Sequence, residues 1–202
     1  RSRPRTDEKA ARDLVTEWDR RSEALLLARL AELAPGVAVV GEETHDGSVP
    51  PEVAFYVDPI DGTTNFVHGH PVWCVSVGLL DEGVPALGAL VAPALSLRWR
   101  AAVDPAGERS IAERNGEACR TSDARTLGVS LVATGFPPVR AREPDDNFAS
   151  FIRVKRAARA VRRCGAAAID LAFVGDGTYD GYWERRLHPW EAADGPALVL
   201  AA

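Results

Sequence analysis

The sequence predicts an α+β fold built from layers of helices and β-sheet. An amphipathic helical segment comes first, a run of β-rich segments joined by tight turns follows, and helical segments with one further strand come last. A regular alternation of strands and helices would instead indicate a parallel βαβ sheet. The observed order therefore favours a layered α+β domain.

The N-terminal segments predict one helix and two short strands. Apolar residues recur at helical spacing between residues 18 and 33, and Pro35-Gly36 ends the pattern. Residues 37–40 and 54–57 are short apolar runs, as is typical of strands. Acidic residues follow each run directly, so we expect two strands that end on acids.

The central segments predict a sheet, and the last third predicts helices around one strand. Residues 73–80 and 86–91 flank the turn 81–83, which indicates a hairpin, and residues 97–103 predict another strand. The remaining predicted elements, in chain order, are a helix at 145–163, a helix at 165–174 and a strand at 179–183.

Composition narrows the class of protein. The 202 residues are 46% hydrophobic, enough for a globular core, and the formal net charge of -5 indicates no nucleic-acid partner. We interpret the basic run at 153–163 as solvated surface. The three cysteines lack CxxC spacing, and no apolar run reaches the length of a membrane span, so we expect a cytoplasmic protein. The chain lacks methionine and stops just after an apolar run, so both ends look cut.

The most informative stretch is residues 58–66, with the sequence Asp-Pro-Ile-Asp-Gly-Thr-Thr-Asn-Phe. Asp58 and Asp61 stand close together around a proline and before a tight turn, so both carboxylates can converge on a hard cation. Gly62 and Thr63 are suited to start a helix, where unpaired N–H groups and the helix dipole favour a phosphate. The stretch therefore brings a metal site and a phosphate site together.

Two further acids, Glu42 and Glu43, follow the preceding predicted strand. A third carboxylate can therefore join the pair, and such an oxygen-rich site suits Mg²⁺. A single acid at a strand end is usually only solvated by water. Four acids around one phosphate-binding turn instead favour metal-assisted phosphate chemistry.

Several motifs together resemble the inositol monophosphatase family. Residues 58–66 resemble the family signature, and Gly41-Glu42-Glu43 resembles its partner motif. Other matching segments occur in the family's order, and they are 13–16 with Asp19, 114–117, 165–168, 180–184 and 189–193. The resemblance covers residues 9–202.

The resemblance implies a layered αβαβα sugar-phosphatase fold and a homodimer that uses two or three Mg²⁺ ions and is sensitive to lithium. It implies hydrolysis of a small phosphorylated polyol, with inositol 1-phosphate as the leading substrate, by metal-activated water. Residues 1–202 then form one unit, with a metal-binding α+β part of about residues 1–135. The α/β part of about residues 136–202 looks truncated.

The resemblance also implies roles for individual residues. The implied metal ligands are Glu42, Asp58, the backbone carbonyl of Ile60, Asp61 and Glu191. The implied catalytic residues are Thr63 and Glu42, which orient the attacking water, and Asp61. The implied phosphate ligands are the amides of Gly62 and Thr63. The implied substrate residues are Gly165, Ala166, Ala167 and Glu184. The residues implied near the metals are Lys9, Asp19 and Glu43.

The last motif departs from the family pattern. Glu191 stands where the family carries Asp, and a longer carboxylate fits the tight octahedral geometry of Mg²⁺ less well. Asp194 and Pro196 stand where small helical residues are usual, which adds a negative charge and removes a helix N–H. We therefore expect a weakened or shifted second metal site.

Two other functions stay open. Residues 71–73 and 92–95 resemble histidinol-phosphate phosphatases of the same scaffold, and Glu184 could equally bind an ammonium group. A non-catalytic binding protein is the alternative of a different class, with the basic run at 153–163 as its contact surface.

Overall fold

The computed structural model describes residues 6–10, 13–106, 109–137 and 146–202. Its strands, in chain order, are β1 (Thr6–Ala10), β2 (Asp13–Thr16), β3 (Ala38–Gly41), β4 (Val53–Asp61), β5 (Cys74–Asp81), β6 (Val84–Ala92), β7 (Leu97–Ala102), β8 (Ile111–Arg114), β9 (Glu117–Ala118), β10 (Leu131–Thr134), β11 (Ala160–Arg162) and β12 (Gly181–Trp183). Its α-helices are α1 (Glu17–Leu33), α2 (Thr63–His68), α3 (Phe148–Ala157), α4 (Ala167–Gly175), α5 (Pro189–Ala192) and α6 (Asp194–Ala201).

Two sheets organise the fold. The larger has seven strands in the order β3-β4-β5-β6-β7-β8-β9, with β3 parallel to β4 and every later pair antiparallel. The smaller is parallel and has the order β11-β10-β12. β1 and β2 form a separate antiparallel pair.

Helices separate and flank these sheets. α1 packs against β3 and β4, and α6 packs across β5 to β8. α4 contacts α6 as well as β10 and β12, while α3 contacts β11. The order helix, sheet, helix, sheet, helix confirms the predicted layered α+β fold.

The main core lies between the larger sheet and the helices α4 and α6. Its largest fully buried side chains are Leu90, Ile169 and Leu198, each of which contributes about 1.5–3 kcal/mol through burial. Gly78 and Gly88 let α6 approach closely, since a Cβ at either position would collide with the backbone at the start of that helix. The start of α6 therefore packs closely on β5 and β6, and α5 lies against β4, the strand that carries Asp58 and Asp61.

The predicted helix at 18–33 and the predicted hairpin are confirmed by α1 and by β5 with β6. The prediction of one helix at 145–163 is wrong, because α3 ends at Ala157 and residues 160–162 form β11. β11 pairs in parallel with β10, and this long-range pairing outweighs the helical preference of an Ala- and Arg-rich segment. Residue 145 lies outside the described residues. The basic run therefore spans a helix end and a strand.

Within the described ranges, none of the helices is both long and apolar enough to cross a membrane.

Candidate active site

A cavity of about 250 Å³ is lined by residues of β4, α2, α4, α5 and β12. The residues assigned to metal, phosphate and substrate all line it, and they are Glu42, Asp58, Ile60, Asp61, Gly62, Thr63, Gly165, Ala166, Ala167, Glu184 and Glu191. The fold therefore gathers distant parts of the chain at one place.

The strand expected at 54–57 is longer in the structure. β4 continues to Asp61, because β5 pairs with it up to Cys74, with an irregular register between Asp58 and Asp61. Only 2% of Asp58 and 6% of Asp61 is exposed. The predicted strand therefore does end on an acid, but its predicted end at residue 57 is wrong, since Asp58 and Asp61 both belong to β4 and are buried.

The glycine after β4 allows the chain to turn into α2. Gly62 has a left-handed φ of +88°, and a Cβ there would lie 3.1 Å from the carbonyl oxygens of Gly165 and Val72. Any other residue would be strained and crowded at this position. Thr63 begins α2, as predicted, and Gly62 and Thr63 line the cavity together with the acids.

Backbone amides hold one oxygen of each buried aspartate. The N–H of Ile60 donates to Asp58 Oδ1 at 3.0 Å, within the same turn. The N–H of Ala168, at the start of α4, donates to Asp61 Oδ2 at 2.7 Å. Both carboxylates are therefore oriented by the fold itself.

The cluster of acids is electrostatically unfavourable as it stands. Burial raises the pKa of Asp58 well above its usual range, and the carboxylates of Glu42, Asp61 and Glu191 raise it further. Burial likewise raises the pKa of Asp61, although the Ala168 N–H opposes this shift. Negative charge is thus concentrated where water cannot solvate it, a situation that a bound cation relieves.

This donor set fits Mg²⁺ by its chemistry, since it consists of carboxylate and carbonyl oxygens. In the part of the chain that the structure describes, no three acidic, His or Cys side chains are already arranged to hold an ion. The Glu42 carboxyl group already shares a hydrogen bond with the buried Asp58, so these two residues lie side by side in the cavity. Glu191 also accepts a hydrogen bond from the His188 N–H at 2.8 Å and so caps α5.

Thr63 is held by two acceptors at the edge of the cluster. Its hydroxyl lies 3.0 Å from the carbonyl oxygen of Ile60 and 3.2 Å from Asp19 Oδ1. Asp19 is 1% exposed and accepts hydrogen bonds from the N–H and the hydroxyl of Thr16, which caps α1. Asp19 therefore lies beside the acids, as expected, and fixes the Thr63 side chain. The side chain of Lys9 lies outside what the structure describes.

Sequence reasoning missed the support beneath Glu42 and Glu43. Glu23 of α1 is 1% exposed, and its Oε2 accepts a hydrogen bond from the Glu43 N–H at 2.7 Å. A Cβ on Gly41 would collide with the Glu23 carboxyl group. A glutamate at helical spacing from the apolar Leu26 and Leu30 was the available signal.

Asn65 is a second residue whose role was missed, although it belongs to the signature stretch. Its Nδ2 donates to the carbonyl oxygen of Val72 at 2.6 Å and to that of Cys164 at 2.9 Å. These bonds tie α2 to the segment that leads into α4. Asn65 thereby sets the position of Gly165 relative to the acids.

Another part of the cavity wall carries its own polar cluster. The Tyr182 hydroxyl donates to Glu184 Oε2, and the Glu184 carboxyl group packs so closely on Gly135 that a Cβ there would collide with it. Arg163 and Asp170 line the same cavity. Burial raises the pKa of Asp170 to about 7. Neither Asp170 nor Tyr182 stood out in the sequence by spacing or composition.

The layered fold defines a class of proteins, those with the α+β fold of the solved inositol monophosphatases. Within that class the chain belongs to the inositol monophosphatase family, whose sequence model matches residues 2–202. The predicted family is confirmed.

Three similar proteins illustrate the relationship. An inositol-1-monophosphatase from Synechocystis is 39% identical over 193 residues, which are 95% of this chain and 66% of that protein. The Nus factor SuhB of Pseudomonas aeruginosa is 37% identical, across 97% of this chain and 72% of its own. The solved inositol monophosphatase from Anabaena matches with a TM-score of 0.83 at 39% identity, across 91% of this chain and 71% of its own. The chain thus spans about two thirds to three quarters of the length of these relatives.

Proposed function

We propose that the protein hydrolyses a small phosphate monoester with the help of two or three Mg²⁺ ions, and that inositol 1-phosphate is its leading substrate. The observation that carries this proposal is the buried pair Asp58 and Asp61 beside the helix start at Gly62 and Thr63. Relatives named inositol-1-monophosphatase support it.

Glu42, Asp58, Asp61, Glu191 and the carbonyl of Ile60 would hold the ions. When bound, Mg²⁺ neutralises phosphate oxygens and lowers the pKa of a coordinated water molecule. The protein contributes the carboxylates that would bind the ions, and it places them in a buried site where electrostatic interactions are strong.

The chain's own residues bind and orient the reactants. The amides of Gly62 and Thr63 point unpaired N–H groups towards the phosphate. The Thr63 hydroxyl, when it donates to Asp19 or to the Ile60 carbonyl, leaves its oxygen to accept a hydrogen bond from the attacking water. Glu42 accepts the proton of that water.

The leaving group would lie against the second part of the chain, beyond about residue 135. Gly165, Ala166 and Ala167 have little or no side chain and leave room for a ring. Glu184 accepts hydrogen bonds from hydroxyl groups of the leaving group. The first part, up to about residue 135, carries most of the metal ligands.

The proposal extends to the setting of the protein. We also propose that the protein is a cytoplasmic homodimer and is inhibited by lithium. We propose that it has no nucleic-acid partner, and the net charge of -5 supports this last point. Light scattering tests the dimer. A relative named Nus factor SuhB makes a binding function the second candidate, so titration of RNA into the protein is the matching test.

The test of the proposed activity is an assay of phosphate release from a panel of phosphate monoesters, with Mg²⁺ and with a chelator. We expect turnover of inositol 1-phosphate only with Mg²⁺, and inhibition by Li⁺. Release of phosphate at the same rate in the chelator, or no release from any substrate, contradicts the proposal.

A further inference from the structure

The cavity is rich in acids well beyond the residues assigned to the metals. Asp170 and Glu184 add two carboxyl groups to its wall. Within the described residues, Arg163 is the one basic side chain that lines the cavity. This part of the wall is therefore acidic, and it disfavours a second anionic group on a substrate.

Asp170 is the least satisfied of these groups. It lies in the first turn of α4 and is 1% exposed, and its Oδ1 has no hydrogen-bond partner. A buried acceptor without a partner is costly, so such a group calls for a functional explanation. Asp170 is also one of the residues that line the cavity.

The neighbours of Asp170 do not fill this gap. Burial is the main cause of its raised pKa, and the carboxyl group of Glu184 raises the pKa further. Cys164 lowers the pKa through hydrogen bonds from its thiol and its N–H to the carboxyl group, and Arg163 lowers it through its charge. These bonds still leave Oδ1 without a partner. Glu184 in turn already receives the Tyr182 hydroxyl, so the donor that Asp170 lacks is not supplied by that pair.

We propose that Asp170 is a specificity-determining residue, which accepts a hydrogen bond from a hydroxyl or ammonium group on the leaving group of the substrate. Together with Glu184 it selects leaving groups that carry hydrogen-bond donors and rejects those with a second anion. This inference rests on the proposed phosphatase function and names the substrate class of that same cavity.

The test compares wild type, Asp170→Asn and Asp170→Ala on four substrates with Mg²⁺. Inositol 1-phosphate offers neutral hydroxyls, histidinol phosphate offers an ammonium group, p-nitrophenyl phosphate offers no donor, and a sugar bisphosphate adds an anion. Asp170→Ala should lower kcat/KM by about 10- to 100-fold on the substrate whose donor Asp170 binds. Its effect on p-nitrophenyl phosphate should stay within about 3-fold.

Asp170→Asn separates the two kinds of donor and keeps the side-chain shape. An amide oxygen still accepts from a hydroxyl but lacks the charge that binds an ammonium group. If Asp170 binds a hydroxyl group, Asp170→Asn should lower kcat/KM on inositol 1-phosphate only slightly. If Asp170 binds an ammonium group, Asp170→Asn should lower kcat/KM on histidinol phosphate strongly. In both variants the sugar bisphosphate should be hydrolysed faster relative to p-nitrophenyl phosphate than by wild type.

The matched control is Asp194→Asn, which alters another fully buried aspartate that does not line the cavity. It should leave the ratios between substrates unchanged. Equal loss on all substrates in Asp170→Ala, or an effect within about 3-fold on every substrate, overturns this inference and leaves the proposed function standing. Failure of the wild type to hydrolyse any substrate overturns both. If Asp170→Ala does not fold, Asp170→Leu carries the same comparison, because it keeps the side-chain shape and has no acceptor.

Discussion

Asp61 and Ala168 are joined by a hydrogen bond of 2.7 Å between residues that lie 107 positions apart. The bond connects the end of β4 to the start of α4, so it ties the predicted metal ligands to the segment predicted to bind the leaving group. A small shift of α4 would therefore change the orientation of the Asp61 carboxylate. The two sides of the cavity are thus directly connected, although they come from distant parts of the chain.

Gly41→Ala should destabilise the protein and lower its activity. The added Cβ would collide with the carboxyl group of Glu23, which holds the Glu43 N–H beside Glu42. Overpacking of this kind costs about 1–3 kcal/mol of unfolding free energy. Gly128→Ala is the matched control, since nothing lies within 4 Å of its Cβ position. Urea denaturation measures both, and equal stability of the two variants contradicts the packing argument.

Glu184→Gln should impair polyol phosphates more than p-nitrophenyl phosphate. Gln has one acceptor oxygen where Glu has two, and the Tyr182 hydroxyl already uses one, so a ring hydroxyl loses its buried acceptor at a cost of about 1–3 kcal/mol. The aromatic substrate has no ring hydroxyl to donate. Steady-state kinetics on both substrates measures the difference. Equal impairment would mean that Glu184 serves the fold through Tyr182 instead.

Glu191→Asp should lower the Mg²⁺ concentration that gives half-maximal activity. The Glu191 carboxylate caps α5 and raises the pKa of Asp58 through its charge, and a shorter acid meets the small octahedral ion with less distortion. Asp can still accept from the His188 N–H, as Asp19 accepts from the Thr16 N–H at the start of α1, so we expect little change in stability. A higher half-activating concentration would show that Glu191 is already a fitted ligand.

Asp194 should make the metal-free protein less stable as the pH rises. Burial raises its pKa from 3.8 to about 6. Between these values the folded state binds more protons than the unfolded state, so unfolding free energy falls with rising pH, by about 3 kcal/mol in total. Asp194→Asn should remove this part of the slope between pH 4 and 6 and be more stable than wild type at pH 8.

The comparison uses thermal melts in a chelator across the pH range. The exposed Asp123→Asn is the control, and its melting curve should follow that of the wild type. An identical pH slope in wild type and Asp194→Asn would show that Asp194 does not titrate in this window.

Structural features that depend on residues close together in the sequence could be predicted from the sequence. The hairpin of β5 and β6 follows from its turn residues, and the acids of residues 58–66 follow from their spacing and their resemblance to a family signature. β11 was missed, because a strand of three residues exists only through its pairing with β10. Asp170 and Glu23 were missed for a related reason. Each is one acid in a helix, and its importance arises from burial against distant segments.

Phosphate release from inositol 1-phosphate by wild type and Asp61→Asn, titrated with Mg²⁺, tests the central claim most directly. Asp61 is 6% exposed, and burial raises its pKa well above the usual range, so its carboxylate lies in the buried cluster that would hold the ions. We expect the variant to fold and to lose activity by about 1,000-fold or more at every Mg²⁺ concentration, because metal charge stabilisation is a leading contribution to such catalysis. Its metal-free form should melt no lower than wild type, since one buried charge is removed. Turnover near the wild-type level, or wild-type activity without Mg²⁺, would contradict the account.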